Sequence, residues 1–233
     1  MSRTSLLLAT LLVVPACDSG TKDAPTKTAS KPQTDATKPA EAAKAEAAKP
    51  EAKKPVDPWQ AKLAGRVLAS SGLGQDGKLT AFDIVNCDSG EEYCQVCRFG
   101  ASPKLMAVGS LDDASFHEDL KDLDAIAKKY GEDKVKVFAV VTDIVDGKGV
   151  TPADVASTQA KAKELRTKLA ISMPVVVPAA NDEGKNRAWD EYYNITASRT
   201  VMFADGRNTV KYSAVGPEDW AGLNDAIKSV VEG

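Results

Sequence analysis

From Trp59 onward, apolar positions alternate between the spacing of strands and the spacing of helices. The pattern predicts helices over 59–68, 114–130, 152–169, 185–193 and 217–231, and strands over 78–87, 104–109, 135–141, 173–177, 200–203 and 208–214. Thr151 is the expected cap of the third helix, and residues 98–103 and 143–149 are expected to be loops. Strand–helix–strand connections are right-handed, and buried strands need cover on both faces. The order therefore predicts a three-layer α/β fold, with a central mixed sheet and helices on both faces.

The beginning of the chain has a different pattern. An apolar run over residues 6–14 follows the positive charge of Arg3, and its length is that of a signal peptide. Val14-Pro15-Ala16-Cys17 then resembles the bacterial lipobox, which implies that residues 1–16 are removed and that Cys17 carries the lipid. An ordinary signal peptide followed by an unmodified cysteine is the alternative. We expect a protein anchored to the cell membrane or the outer membrane by lipid, on its extracytoplasmic, oxidising side.

Residues 17–58 are predicted to be a disordered tether between the lipid and a domain over residues 59–233. The segment is rich in Ala, Lys, Pro, Thr and Glu and has almost no large apolar residue. Such a segment cannot bury enough surface to offset the entropy of ordering it. The net charge of −3 argues against a nucleic-acid partner, and the single histidine, His117, excludes a histidine-rich metal site.

Residues 78–232 resemble the thioredoxin superfamily, in its peroxiredoxin and redoxin-like branch. The resemblance rests on the element order, on residues 173–177 and 188–195, and on residues 198–207, which open the terminal hairpin. It implies a reactive cysteine just after the first core strand, but Ser110–Ser115 occupy that place. It also implies a cis-proline before the hairpin, where this chain has Arg199. We expect Arg199 to have a structural or anion-binding role.

Chemistry is concentrated in three cysteines, Cys87, Cys94 and Cys97. The two residues between Cys94 and Cys97 give the spacing of a redox dithiol, because the two sulfurs can then meet. This pair precedes the first core strand, about 20 Å from the usual site of the resembled family. Arg98 would lower the pKa of Cys97, and the acidic residues upstream would oppose it.

Several interpretations of the cysteines remain open. They could form a structural disulfide, either Cys94–Cys97 or Cys87 with one of these two, which leaves one thiol free. Alternatively, Cys94 and Cys97 could be a redox-active pair with Cys87 as a possible resolving thiol. A metal site would lack a fourth ligand unless His117 or an acid supplied it, and Arg98 replaces the histidine that covalent haem needs. We expect no metal and no cofactor. The sequence predicts a thioredoxin-like lipoprotein that exchanges disulfides with a thiol-containing envelope protein, or else a non-catalytic binding or structural lipoprotein.

Overall fold

The computed structural model describes residues 57–233, which form five α-helices, nine strands and one π-helical turn. In chain order these elements are α1 (Pro58–Ala64), β1 (Asp83–Asn86), β2 (Glu92–Cys94), α2 (Gln95–Arg98), β3 (Lys104–Gly109), α3 (Ala114–Tyr130), β4 (Lys136–Val141), β5 (Asp143–Val145), β6 (Lys148–Val150), α4 (Val155–Leu169), β7 (Val175–Pro178), the π-helical turn (Ala188–Tyr192), β8 (Thr200–Ala204), β9 (Val210–Val215) and α5 (Ala221–Val231).

Seven of the strands form one mixed sheet in the order β2-β1-β7-β4-β3-β8-β9. The pairs β3–β4 and β4–β7 are parallel, and the other pairs are antiparallel. The central strands are buried along their length because both faces of the sheet are covered. β5 and β6 form a separate hairpin. This arrangement confirms the predicted central mixed sheet.

Helices cover both faces of the sheet, as predicted, but unequally. The three long helices, α3, α4 and α5, pack on one face, where Leu120, Leu165 and Ile227 join one apolar cluster. The short α1, the π-helical turn and the irregular segment before β1 cover the other face. Both parallel crossovers step in the same direction across the sheet, so right-handed connections place α3 and α4 on the same side.

Helix α3 begins and ends at the residues that the sequence predicts. The carboxylate of Asp113 accepts backbone N–H bonds from Ser115 and Phe116, which satisfies two free donors of the first turn. Gly131 ends the helix with a positive φ of 85°, a conformation that glycine adopts without strain. Because this helix follows β3 directly, it fixes the end of that strand.

Two predicted boundaries are wrong because side chains have tertiary partners. The expected strand over 78–87 is regular only at Asp83–Asn86, since the residues before it pack irregularly against the π-helical turn. The helix predicted from residue 152 begins at Val155, and Asp154 caps it in place of Thr151. The Thr151 hydroxyl instead donates to the carboxylate of Asp190.

Three further segments differ from the prediction. The polar segment expected to be a loop over 143–149 forms the β5–β6 hairpin, and the expected helix over 185–193 is a π-helical turn. Helix α1 stops at Ala64, before Gly65, and not at residue 68. The segment around the cysteine pair contains β2 and α2, neither of which the apolar pattern predicted.

The predicted signal peptide, the lipidation of Cys17 and nearly all of the predicted tether lie outside the described residues. Between residues 57 and 233, none of the helices has the length and apolar character required to cross a bilayer.

Candidate functional site

Cys94 and Cys97 form a disulfide, and their Cα atoms are 5.2 Å apart. Cys94 ends β2 and is also the N-cap of α2, while Cys97 lies within that short helix. The turn from strand to helix therefore brings the two sulfurs together. Cys87 is left as a free thiol.

The two sulfurs of the disulfide have different surroundings. Cys97 is exposed, whereas Cys94 is half-buried. The backbone N–H of Cys97 donates to Sγ of Cys94, at 3.1 Å. A hydrogen bond to the charged form of a group favours that form, so this N–H would stabilise a Cys94 thiolate. Attack at Sγ of Cys97 would then release Sγ of Cys94, which is the sulfur whose thiolate this N–H stabilises.

One exposed ion pair, between Arg98 and Glu91, lies in the segment that carries the disulfide. Arg98 donates to the carboxylate of Glu91 at 3.1 Å, and its guanidinium lies 4.4 Å from the centre of the Tyr93 ring. The hydrogen bond to Glu91 raises the pKa of the Arg98 guanidinium. Because Arg98 has this partner, its charge is only partly available to stabilise a thiolate at Cys97. Both side chains of the ion pair are more than half exposed, so the pair is weak.

A buried lysine holds the loop that follows Cys97. Nζ of Lys104 donates to the carbonyl of Gly100 at 2.6 Å and to that of Ser102 at 2.9 Å, and the whole residue is inaccessible to solvent. Burial lowers the pKa of this ammonium. The N–H of Gly100 in turn donates to the carbonyl of Cys97. Lys104 was not among the predicted site residues, although a lysine at the start of an otherwise apolar strand is a signal for such a role.

The structure does not bring Cys87 to the disulfide. Cys87 is inaccessible to solvent and belongs to the apolar cluster beneath α3 and α4, whereas Cys94 packs against the cluster on the other face. In the sheet Cys94 pairs with Asp83, four residues before Cys87, which corresponds to about 13 Å along the strand. Burial raises the pKa of the Cys87 thiol to about 12. In this conformation Cys87 is a core residue.

Polar side chains fill the place where the resembled family would have its reactive thiol. This place lies at the end of β3 opposite to the Cys94–Cys97 segment, as predicted. The N–H of Ser110 donates to the hydroxyl of Ser198. Arg199 donates two hydrogen bonds to the buried carboxylate of Asp119 on α3, at 2.7 and 3.0 Å. The hydrogen bond to Asp119 raises the pKa of Arg199. Arg199 therefore ties the start of β8 to α3, which is the structural one of its two predicted roles.

His117 lies near the start of α3 and is half-buried, with Nε2 at 2.9 Å from the carbonyl of Leu111. Within residues 57–233, no three His, Cys, Asp or Glu side chains form a group that could hold a metal ion.

Solved structures with a similar fold include several thiol–disulfide proteins. A thiol-disulfide isomerase from Corynebacterium glutamicum aligns with a TM-score of 0.53 and 14% identity, over 68% of this chain and 97% of the other. The thioredoxin domain of a thiol-disulfide oxidoreductase from Bacteroides vulgatus aligns with a TM-score of 0.52 and 11% identity, over 68% and 99%. A thioredoxin-like superfamily protein aligns with a TM-score of 0.53 and 16% identity, over 67% and 97%.

These similarities define the class of fold: the chain has a thioredoxin-like fold. No family model matches the sequence, and no curated protein matches it either. At identities of 11–16% the similarity extends to the fold alone. The disulfide between Cys94 and Cys97 is a feature of this chain's own structure.

Proposed function

We propose that this chain is a membrane-anchored, extracytoplasmic thiol–disulfide oxidoreductase that uses Cys94 and Cys97. The observation that carries the proposal is a disulfide in which Cys97 is an exposed residue and Cys94 a half-buried one, on a thioredoxin-like fold. The named activities of the isomerase and the oxidoreductase with similar folds agree with it.

The asymmetry of the two sulfurs assigns a role to each. A substrate thiolate attacks Sγ of Cys97, which is the exposed residue of the pair, a new sulfur–sulfur bond forms there, and the bond to Cys94 breaks. The electron pair leaves on Sγ of Cys94, which already accepts the N–H of Cys97. A second substrate thiolate then attacks the substrate sulfur of the mixed disulfide and releases Cys97. The substrate dithiol is oxidised to a disulfide, and the protein is reduced by two electrons; exchange with another disulfide restores it.

The location of the protein belongs to the same proposal. Its basis is the apolar run over residues 6–14 followed by Ala16-Cys17, which would place a lipid at the mature N-terminus. Residues 17–58 would then act as a tether between the membrane and the thioredoxin-like domain. An oxidising compartment favours disulfides, and this setting agrees with the Cys94–Cys97 bond.

A non-catalytic binding or structural lipoprotein is the second candidate function. The observation in its favour is the absence of a thiol between Ser110 and Ser115, where the resembled family has its reactive cysteine. The ion pair between Arg199 and Asp119 occupies the same end of the sheet. Under this alternative, the disulfide only fixes the turn between β2 and α2.

Thiol-exchange activity distinguishes the two candidates. We expect the wild-type protein to catalyse the reduction of insulin by dithiothreitol, and Cys94→Ser and Cys97→Ser each to abolish that activity. Cys87→Ser is the matched control, because it removes the buried thiol away from the disulfide. Two results would contradict the oxidoreductase proposal. One is activity that survives in Cys97→Ser, and the other is a wild-type protein that shows no thiol-exchange activity.

A further inference from the structure

Strand β2 is at the edge of the seven-stranded sheet and pairs on one side only, with β1. The N–H of Asn86 donates to the carbonyl of Glu91 at 2.9 Å, and residues 92–94 continue the same antiparallel register. In an antiparallel ladder, successive residues direct their backbone groups to opposite sides. The backbone hydrogen-bonding groups of Glu91 and Tyr93 therefore point toward β1. The N–H and carbonyl of Glu92 and the N–H of Cys94 point away from the sheet.

These outward groups have no hydrogen-bond partner among residues 57–233. Glu92 is exposed, and Cys94 is half-buried. An unpaired strand edge is a template on which another extended chain can add a strand. In this chain the open edge runs directly into the disulfide, because Cys94 is both the last residue of β2 and one of the bonded cysteines.

We propose that the outer edge of β2 binds an extended, cysteine-containing segment of a substrate protein by strand addition and delivers its thiol to Sγ of Cys97. This proposal rests on the proposed oxidoreductase function. The thiolate of the bound segment forms a bond to Cys97, and the electron pair of the broken bond leaves on Cys94. Main-chain hydrogen bonds recognise any extended segment. The substrate class is therefore an unfolded or partly folded protein with an accessible thiol.

The charges at this edge specify the substrate further. Glu91 is paired with Arg98, whereas Glu92 has no ion-pair partner among the described residues. Asp83, which is paired with Cys94, lines a cleft of about 310 Å³ together with Glu92, Lys185 and Arg187. The charges within the cleft balance, so the preference depends on Glu92 at the strand edge. A basic side chain on the added strand, opposite Glu92, would form a favourable cross-strand pair with this carboxylate. We therefore expect segments with a lysine or arginine near the cysteine to be preferred.

Glu92→Pro tests the edge, with Glu92→Ala as the matched control. Proline removes only the outward N–H of this position, and edge strands tolerate it. The probe is a synthetic extended peptide with one cysteine and a lysine two residues before it. We expect the Pro variant to form the mixed disulfide with this peptide about tenfold more slowly than the Ala variant. The two variants should react with glutathione at equal rates, since glutathione is too short to add a strand and both variants lack the Glu92 carboxylate.

Two further measurements separate the edge from the chemistry. A peptide N-methylated at alternate backbone positions should react slowly with the wild-type protein, which tests strand addition without changing the fold. A serine version of the peptide should bind the wild-type protein more tightly than the Pro variant in calorimetry. Peptide-specific binding without any exchange would support the edge and overturn the oxidoreductase function. Equal rates for Glu92→Pro and Glu92→Ala, or no effect of N-methylation, would overturn the edge proposal.

Discussion

Lys104 should be one of the most sensitive positions of the domain, because it supports the loop behind the disulfide from inside the protein. The change Lys104→Met keeps an unbranched side chain and removes the ammonium that bonds the carbonyls of Gly100 and Ser102. A fully buried carbonyl left without a partner costs about 1–3 kcal/mol, but these two hydrogen bonds are only part-buried, so water can replace part of the loss. The ammonium is also no longer buried in the variant, which offsets part of the cost. We therefore expect the free energy of unfolding to fall by about 1–3 kcal/mol.

The assay is equilibrium unfolding in urea or guanidinium chloride, with thermal unfolding as a second probe. For a domain of this size, each kcal/mol corresponds to about 2–4 °C in Tm. The matched control is Lys136→Met, because Lys136 is paired with Lys104 in the parallel ladder and is half-buried, with no side-chain hydrogen bond among the described residues. A loss below about 1 kcal/mol for Lys104→Met, or an equal loss for both variants, would refute the reasoning.

Three further predictions follow from single residues. The pKa of the Cys87 thiol is raised to about 12, so the folded state keeps this proton above pH 9 while the unfolded state loses it. The measurement is the free energy of unfolding of wild type and of Cys87→Ala from about pH 9 to 10.5. It should fall with rising pH more steeply in wild type, by up to about 1.4 kcal/mol per pH unit, and parallel curves would contradict this. Arg199→Ala leaves the buried Asp119 carboxylate unpaired and should cost about 2–4 kcal/mol in urea unfolding, partly recovered when Asp119→Asn is added; a cost under 0.5 kcal/mol would count against the ion pair. Cys17→Ala should release the protein from the membrane fraction on cell fractionation, and retention equal to the parent would exclude the lipid anchor.

The sequence predicts elements best where local signals and tertiary packing agree. Helix α3 has a capping Asp113, a regular apolar face and a terminating Gly131, so its bounds are as predicted. The strands β3 and β4 are apolar after an initial lysine, and they were also predicted. The pattern fails where a side chain is used elsewhere in the fold. Thr151 is a good capping residue, but its hydroxyl bonds Asp190, and Asp154 replaces it as the cap.

The candidate site was predicted in part, for a related reason. The spacing of Cys94 and Cys97 indicates that their sulfurs can meet, whatever the fold around them. The strand and turn that carry them are too short to produce an apolar period, so β2 and α2 were missed. The partners of Lys104 and Arg199 were also beyond prediction, because Gly100 and Asp119 approach them only in the folded chain.

The redox potential of the Cys94–Cys97 pair tests the oxidoreductase function most directly. The potential is measured by equilibrating the purified protein with defined ratios of reduced and oxidised glutathione and trapping the free thiols. A redox-active pair should lie near about −200 mV, within the range of exchange-active proteins, and the pair should reoxidise readily. A potential below about −300 mV, with no exchange activity, would show a purely structural disulfide and contradict the proposed function.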